Sequence, residues 1–147
     1  MDLTFRGGTD EIGRSCIQVS VGETDLLVDC GLKQAASTVY PDLTGLSQGQ
    51  IDAVLLTHAH IDHIGALPVL EARDLLADSA PILTTHPTDA LATIMLWDAY
   101  QLHKRERAET NTPQAYTETD VQAVLNRIEG VTYGTHDRGD YQVQFGN

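Results

Sequence analysis

Lysine is almost missing from this chain. Only Lys33 and Lys104 occur among 147 residues, and nine Lys and Arg together face 21 Asp and Glu, for a formal net charge of −12. At low salt such a surface repels nucleic acid, so nothing in the composition recruits it by bulk charge. Acidic, lysine-poor surfaces are also what a cytoplasm of very high salt favours, because charge keeps a protein soluble where screening extends over only about 3 Å. A halophilic source is the preferred reading, with an ordinary acidic protein as the alternative.

Cysteine is equally sparse. Cys16 and Cys30 are too few for a disulfide framework, and neither has the close Cys or His spacing of a zinc ribbon. The runs "SCIQVSV" and "DLLVDCG" flank the turn "GET", so a hairpin sets the two thiols roughly opposite each other. Reduced, packed thiols are expected rather than a bridge or a metal site. No run of eighteen apolar residues exists, which excludes a membrane-spanning helix, and "MDLTFRGGTDEIG" lacks the basic start and apolar middle of a secretory signal. A cytoplasmic protein without a membrane partner is the expectation.

With 41% hydrophobic residues, the chain has the length and composition of one domain with a sizeable core. Its first third carries short strand signals, "LTFRGG", "SCIQVSV", "DLLVDCG" and "IDAVLLT", which predict one sheet of adjacent strands. From Ile64 the spacing of Leu67, Leu70, Leu75 and Leu76 predicts a helix, with Pro68 in its first turn. "PILTTH" reads as a buried strand and Pro87 opens a long helix running to Glu109. "TETDVQAVLNRIEG" has the Thr start and terminal Gly of a capped helix, and "YQVQF" alternates as a strand. Strands alternating with helices argue for an α/β layered fold. The chain stops just after that last strand, which reads as a truncation.

Half of the six histidines lie in "LLTHAHIDHIGALP", residues 55–68. A divalent metal such as zinc takes imidazole nitrogen and carboxylate oxygen at about 2.0–2.2 Å and needs several donors converging on one point. His58, His60, Asp62 and His63 are four donors within six positions, at a turn from strand to helix where sheet-edge sites form. So dense a set can serve two metals, His58 and His60 on one, Asp62 and His63 on the other. Ions about 3.5–4 Å apart stabilise both the attacking and the leaving oxygen of a hydrolysis. Asp62 and His63 are accordingly the catalytic candidates as well as ligands.

"THAHIDHIGALP" resembles the signature of the metallo-β-lactamase superfamily, and the chain looks like the opening of its RNA-processing branch, the β-CASP nucleases. "FRGGTDEIGRSCIQVSVGETDLLVDCG" is similar to that branch's N-terminal hairpins, and "TTHPTDALATIMLWDAYQLHKRE" to its long helix. The resemblance implies the N-terminal portion of an αββα sandwich over residues 1–147, with the β-CASP cap and the C-terminal part absent. It implies a zinc-dependent ribonuclease acting on RNA phosphodiesters with two Zn2+ ions, and it sets Asp29 behind the metal site as a support for the ligands. The family's third-motif histidine would follow "YQVQF", so with two donors per ion a weakly or partly occupied site and an inactive chain are expected. A second copy of the chain or the missing C-terminal half is the expected partner. The alternatives are a small-molecule hydrolase of the same superfamily acting on a thioester or lactone, and a non-catalytic fragment.

Other signals are weaker. Ser47 in "GLSQG" precedes a strand rather than a helix, against the requirement of a nucleophile turn. The glycines of "GGTDEIG" read as turn-formers without nucleotide-loop spacing. "HKRER", with Arg105 and Arg107, reads as the solvated end of a helix where positive charge suits the dipole. His136 reads as a loop residue, and His86 and His103 as packing or solvent residues.

Overall fold

The computed structural model describes residues 1–34 and 39–146. Its centre is a six-stranded sheet of β1 (Asp2–Gly7), β2 (Cys16–Val21), β3 (Thr24–Val28), β4 (Ala53–Leu55), β5 (Ile82–Thr85) and β6 (Ile128–Val131), arranged in that order. The first three strands form an antiparallel meander, and β3 to β6 then run parallel. Leu27, Val54, Ile82 and Ile128 lie opposite one another across the four parallel strands. That row faces a helical layer of α1 (Ile61–Ile64), α2 (Leu67–Ala72), α3 (His86–Glu109) and α4 (Glu118–Arg127). Leu67, Leu70, Leu96, Val121 and Val124 from these helices join the strand residues in one buried cluster. Each large apolar side chain so buried contributes about 1.5–3 kcal/mol.

The opposite face carries Phe5, Ile17, Val28 and Leu55 in register. Its outer part is open, with Leu3, Phe5 and Val21 53%, 60% and 50% exposed. A two-stranded sheet of β7 (Gly134–Asp137) and β8 (Gln142–Phe145) completes the fold. Arg138 follows β7 and pairs at 2.6 Å with Glu129, on the sheet face turned away from the helices. The architecture is thus the sheet and one helical layer of an αββα sandwich, with a short second sheet.

Three boundaries differ from those the sequence predicts. The helix expected from Ile64 is only the short α2, since α1 already ends at Ile64, and Leu75 and Leu76 lie outside both. Asp74 takes a left-handed φ of 52° that ends the helix, and the chain then bridges Ile51 and Leu76 so that both leucines bury against the sheet edge. α4 starts on the expected cap, where Thr117 and Asp120 bond reciprocally, but it stops at Arg127. Ile128 to Val131 instead form the edge strand, because pairing all four residues with β5 outweighs a further helical turn. His136 lies in β7 rather than in a loop, and its Nε2 is 2.8 Å from the Thr132 carbonyl.

Candidate metal centre

Because β3 and β4 are parallel neighbours, the residues that follow them emerge side by side at one sheet edge, where open α/β sheets build their sites. Asp29 leaves β3 and Thr57 to His63 leave β4. Asp29 adopts φ 61°, a conformation that short polar side chains tolerate best among L-residues, and its amide bonds the Leu55 carbonyl at 2.9 Å. This turn buries the Asp29 side chain to 3% exposure directly under the histidine loop. Its Oδ1 accepts the Thr57 amide at 2.9 Å, and its Oδ2 stands 2.7 Å from His63 Nδ1.

α1 brings the remaining donors together. His60 precedes it, and its carbonyl accepts the His63 and Ile64 amides at 2.9 and 3.1 Å. That single turn places His60 and His63 three residues apart on one side. The His58 ring lies against both, with centroids 4.6 Å from His60 and 4.0 Å from His63. Asp62 Oδ2 is 3.6 Å from His63 Nε2, the ring nitrogen that Asp29 leaves open. Burial above all, and then the neighbouring His63 and His60 imidazoles, hold His58 below the usual histidine pKa, against a smaller opposing pull from Asp29 and Asp62. At neutral pH its ring is therefore neutral, the form a metal takes.

A backbone clamp holds this loop against the β3 end. The amides of Ser15, Cys30 and Leu32 bond the carbonyls of Asp62, His63 and Ile61 at 2.9, 2.8 and 3.0 Å. Gly31 sits at the closest approach: a Cβ there would lie 1.6 Å from the Asp62 oxygen and 2.7 Å from the His63 nitrogen. Only glycine fits.

All five residues singled out from the sequence, Asp29, His58, His60, Asp62 and His63, thus converge. The His58 ring rests on those of His60 and His63, and among the described residues no group of three or more His, Cys, Asp or Glu is arranged to hold an ion as it stands. The donor types suit a divalent metal, while the ring contacts fill the space an ion would take.

Sequence reasoning missed Thr57 and Gly31. Thr57 Oγ1 lies 2.9 Å from Asp29 Oδ2 and 3.0 Å from His58 Nδ1, and its position beside the first histidine was the available signal. Gly31 offered none, since its partner lies 31 residues along the chain.

The remaining candidates fall elsewhere. His103 is a packing residue, stacked on Tyr116 at 4.4 Å and accepting the Ala115 amide. His86 is exposed at the start of α3, and Ser47 lies in a turn closed by Gln50. Cys16 and Cys30 are buried free thiols, and the adjacent Cys16 thiol together with burial pushes Cys30 well above the usual range. Arg105 is exposed. Arg107 lines a cavity of about 390 Å³ with Tyr40, Ile61 and Leu102, beside the histidine loop rather than on it.

The sequence model of the metallo-beta-lactamase superfamily domain matches residues 18–139. The chain is 34% identical over 133 residues to the probable RNase MJ4 of Methanocaldococcus jannaschii, covering 90% of this chain and 29% of that protein. It is 33% identical over 135 residues to the transcription termination factor FttA of the same organism, covering 90% of this chain and 20% of that protein. The chain therefore spans less than a third of the length of these relatives. It superposes on an archaeal metallo-beta-lactamase superfamily protein from Sulfolobus tokodaii with a TM-score of 0.54 at 20% identity, over 97% of this chain and 53% of the other. That likeness is one of fold.

Proposed function

Because this chain belongs to the metallo-β-lactamase superfamily, we propose that residues 1–147 are part of the metal-dependent RNA-cleaving domain of an RNA-processing nuclease. The observation that carries the reading is the gathering of His58, His60, Asp62 and His63 over the buried Asp29, in a chain related to proteins named as an RNase and a transcription termination factor. His58 and His60 would hold one ion, Asp62 and His63 a second, with zinc as the metal in our reading. Bound ions supply Lewis acidity that activates water and neutralises charge on the phosphate undergoing attack.

The protein's own groups prepare for that. Asp29 keeps the proton on His63 Nδ1 and so turns Nε2 towards Asp62. The depressed pKa of His58 leaves its ring free of a proton that would compete with an ion. Asp62 is half-exposed beside His63, where a carboxylate can take up a proton during hydrolysis.

Two donors per ion are fewer than the three or more protein ligands usual for zinc, so this chain alone should bind zinc weakly. Stoichiometric, tight binding of two zinc ions in a calorimetric titration would overturn the assignment of two donors to each. The test of substrate is cleavage of end-labelled RNA by the full-length protein in molar KCl with zinc or manganese, run beside a thioester and a lactone. Turnover of either small ester without RNA cleavage refutes the choice of substrate.

No helix among the described residues is long and apolar enough to cross a membrane, and we place the protein in the cytoplasm. The net charge of −12 supports a halophilic setting. Screening of self-repulsion should then raise the melting temperature steadily from dilute buffer to 2 M KCl, and a flat or falling melting curve would refute it. The open apolar face around Leu3, Phe5 and Val21 supports a covering partner, in our reading the remaining half of the αββα sandwich. Sedimentation of this chain as a stable homodimer would assign the cover to a second copy instead.

A further inference from the structure

We propose that Thr57 is a positioning residue that fixes which nitrogen His58 offers to an ion; this deepens the metal reading of the same site. Thr57 Oγ1 is 3.1 Å from Asp29 Oδ1 and 2.9 Å from Asp29 Oδ2. A carboxylate accepts and cannot donate, whereas a hydroxyl has one proton and two lone pairs. If the Thr57 proton pointed elsewhere, its oxygen would face two carboxylate oxygens with no hydrogen between them. The proton therefore goes to Asp29.

The hydroxyl is left with acceptor capacity alone, and 3.0 Å away stands His58 Nδ1. That contact is a hydrogen bond only if Nδ1 carries the hydrogen. A neutral imidazole protonated at Nδ1 has its lone pair on Nε2. His63 reaches the same state by a different route, because its Nδ1 lies 2.7 Å from Asp29 Oδ2 and only 3.4 Å from Thr57 Oγ1. Asp29 thus sets one imidazole directly and the other through Thr57, so that a single buried carboxylate aims two Nε2 lone pairs. His60 has no such partner among the described residues.

Thr57 is itself exposed, so replacing it with valine leaves no buried cavity and the variant should fold. Nitrogen-15 spectra of histidine-labelled protein without metal, taken at about pH 8.5 where imidazoles are neutral, read the tautomer directly. In the parent protein His58 should show a protonated Nδ1 and a bare Nε2. Thr57→Val should shift His58 towards a mixture of tautomers and leave His63 unchanged, and Thr57→Ser should restore the parent pattern. Cobalt affinity should fall by about tenfold or more in the valine variant and return in the serine variant.

A bare Nδ1 on parent His58, an unchanged tautomer in Thr57→Val, or failure of serine to restore it would each overturn the proposal. The tautomer is measured without metal. If the parent protein shows the expected tautomers yet takes up no cobalt at any concentration, the metal reading fails while the role of Thr57 stands.

Discussion

Replacing Gly31 with alanine should disrupt the histidine loop and destabilise the fold, although Gly31 has no functional group. The added Cβ would fall 1.6 Å from the Asp62 carbonyl oxygen and 2.1 Å from its carbon, both backbone atoms that no rotamer change can move. The loop carrying His60 to His63 would have to retreat by more than about 1 Å to reach ordinary contact. Such a retreat breaks the Ser15–Asp62, Cys30–His63 and Leu32–Ile61 backbone bonds, now 2.9, 2.8 and 3.0 Å long. Three net hydrogen bonds at about 0.5–1.5 kcal/mol each, with overpacking of about 1–3 kcal/mol, give a destabilisation of about 2.5–7.5 kcal/mol. In urea, where a chain of this size loses about 2 kcal/mol per molar, the midpoint should drop by about 1.3–3.8 M. Gly146→Ala is the control, since nothing lies within 4 Å of its Cβ position. Equal midpoints for the two variants, or a Gly31→Ala protein with unaltered His58 and His63 imidazole spectra, would refute the clamp.

Two further predictions concern the helical layer. The Arg127 guanidinium bonds the carbonyls of Ala77, Asp78 and Ala80 at 2.9, 3.2 and 3.0 Å and pairs with Glu71, tying α4 to α2 and to the segment before β5. Arg127→Met should therefore cost about 2–4 kcal/mol by urea denaturation, and Arg127→Lys should recover less than half of it, because an ammonium cannot span that fork. A methionine variant within about 0.5 kcal/mol of the parent would contradict this. Burial first, and then the Arg107 charge, lower the pKa of His103 from its ordinary 6.5. The unfolded chain consequently takes up a proton at His103 before the folded chain does, so the contribution of His103 is intact above about pH 6.5 and is lost as pH falls from there towards the folded pKa. Stability measured at pH 7 and pH 5.5 should fall less in His103→Gln than in the parent, and an equal fall would refute the assignment.

Where local pattern and tertiary demand agreed, the reading from sequence held. "HAHIDH" stood out because four metal-binding residue types in six positions seldom occur by chance, and the structure gathers those side chains on one loop, while "TETD" declared a helix start because its reciprocal cap is closed by residues three apart. The boundaries after Arg127 and around Leu75 went astray because apolar residues at helical spacing also fit a strand or a buried turn. The choice between them was made by partners in β5 and at Ile51, which lie far along the chain.

By itself, the amino-acid sequence determined the acidic surface, the alternation of strands and helices, and which side chains are candidates for the chemistry, since each of these is a property of composition or short-range spacing. Tertiary structure alone decided that Asp29 lies beneath His63, that Thr57 joins Asp29 to His58, and that Gly31 must lack a side chain. The physical reason is the parallel pairing of β3 with β4. It brings to one sheet edge two chain segments separated by some thirty residues, and hydrogen-bond directions and steric contacts exist only once those segments meet.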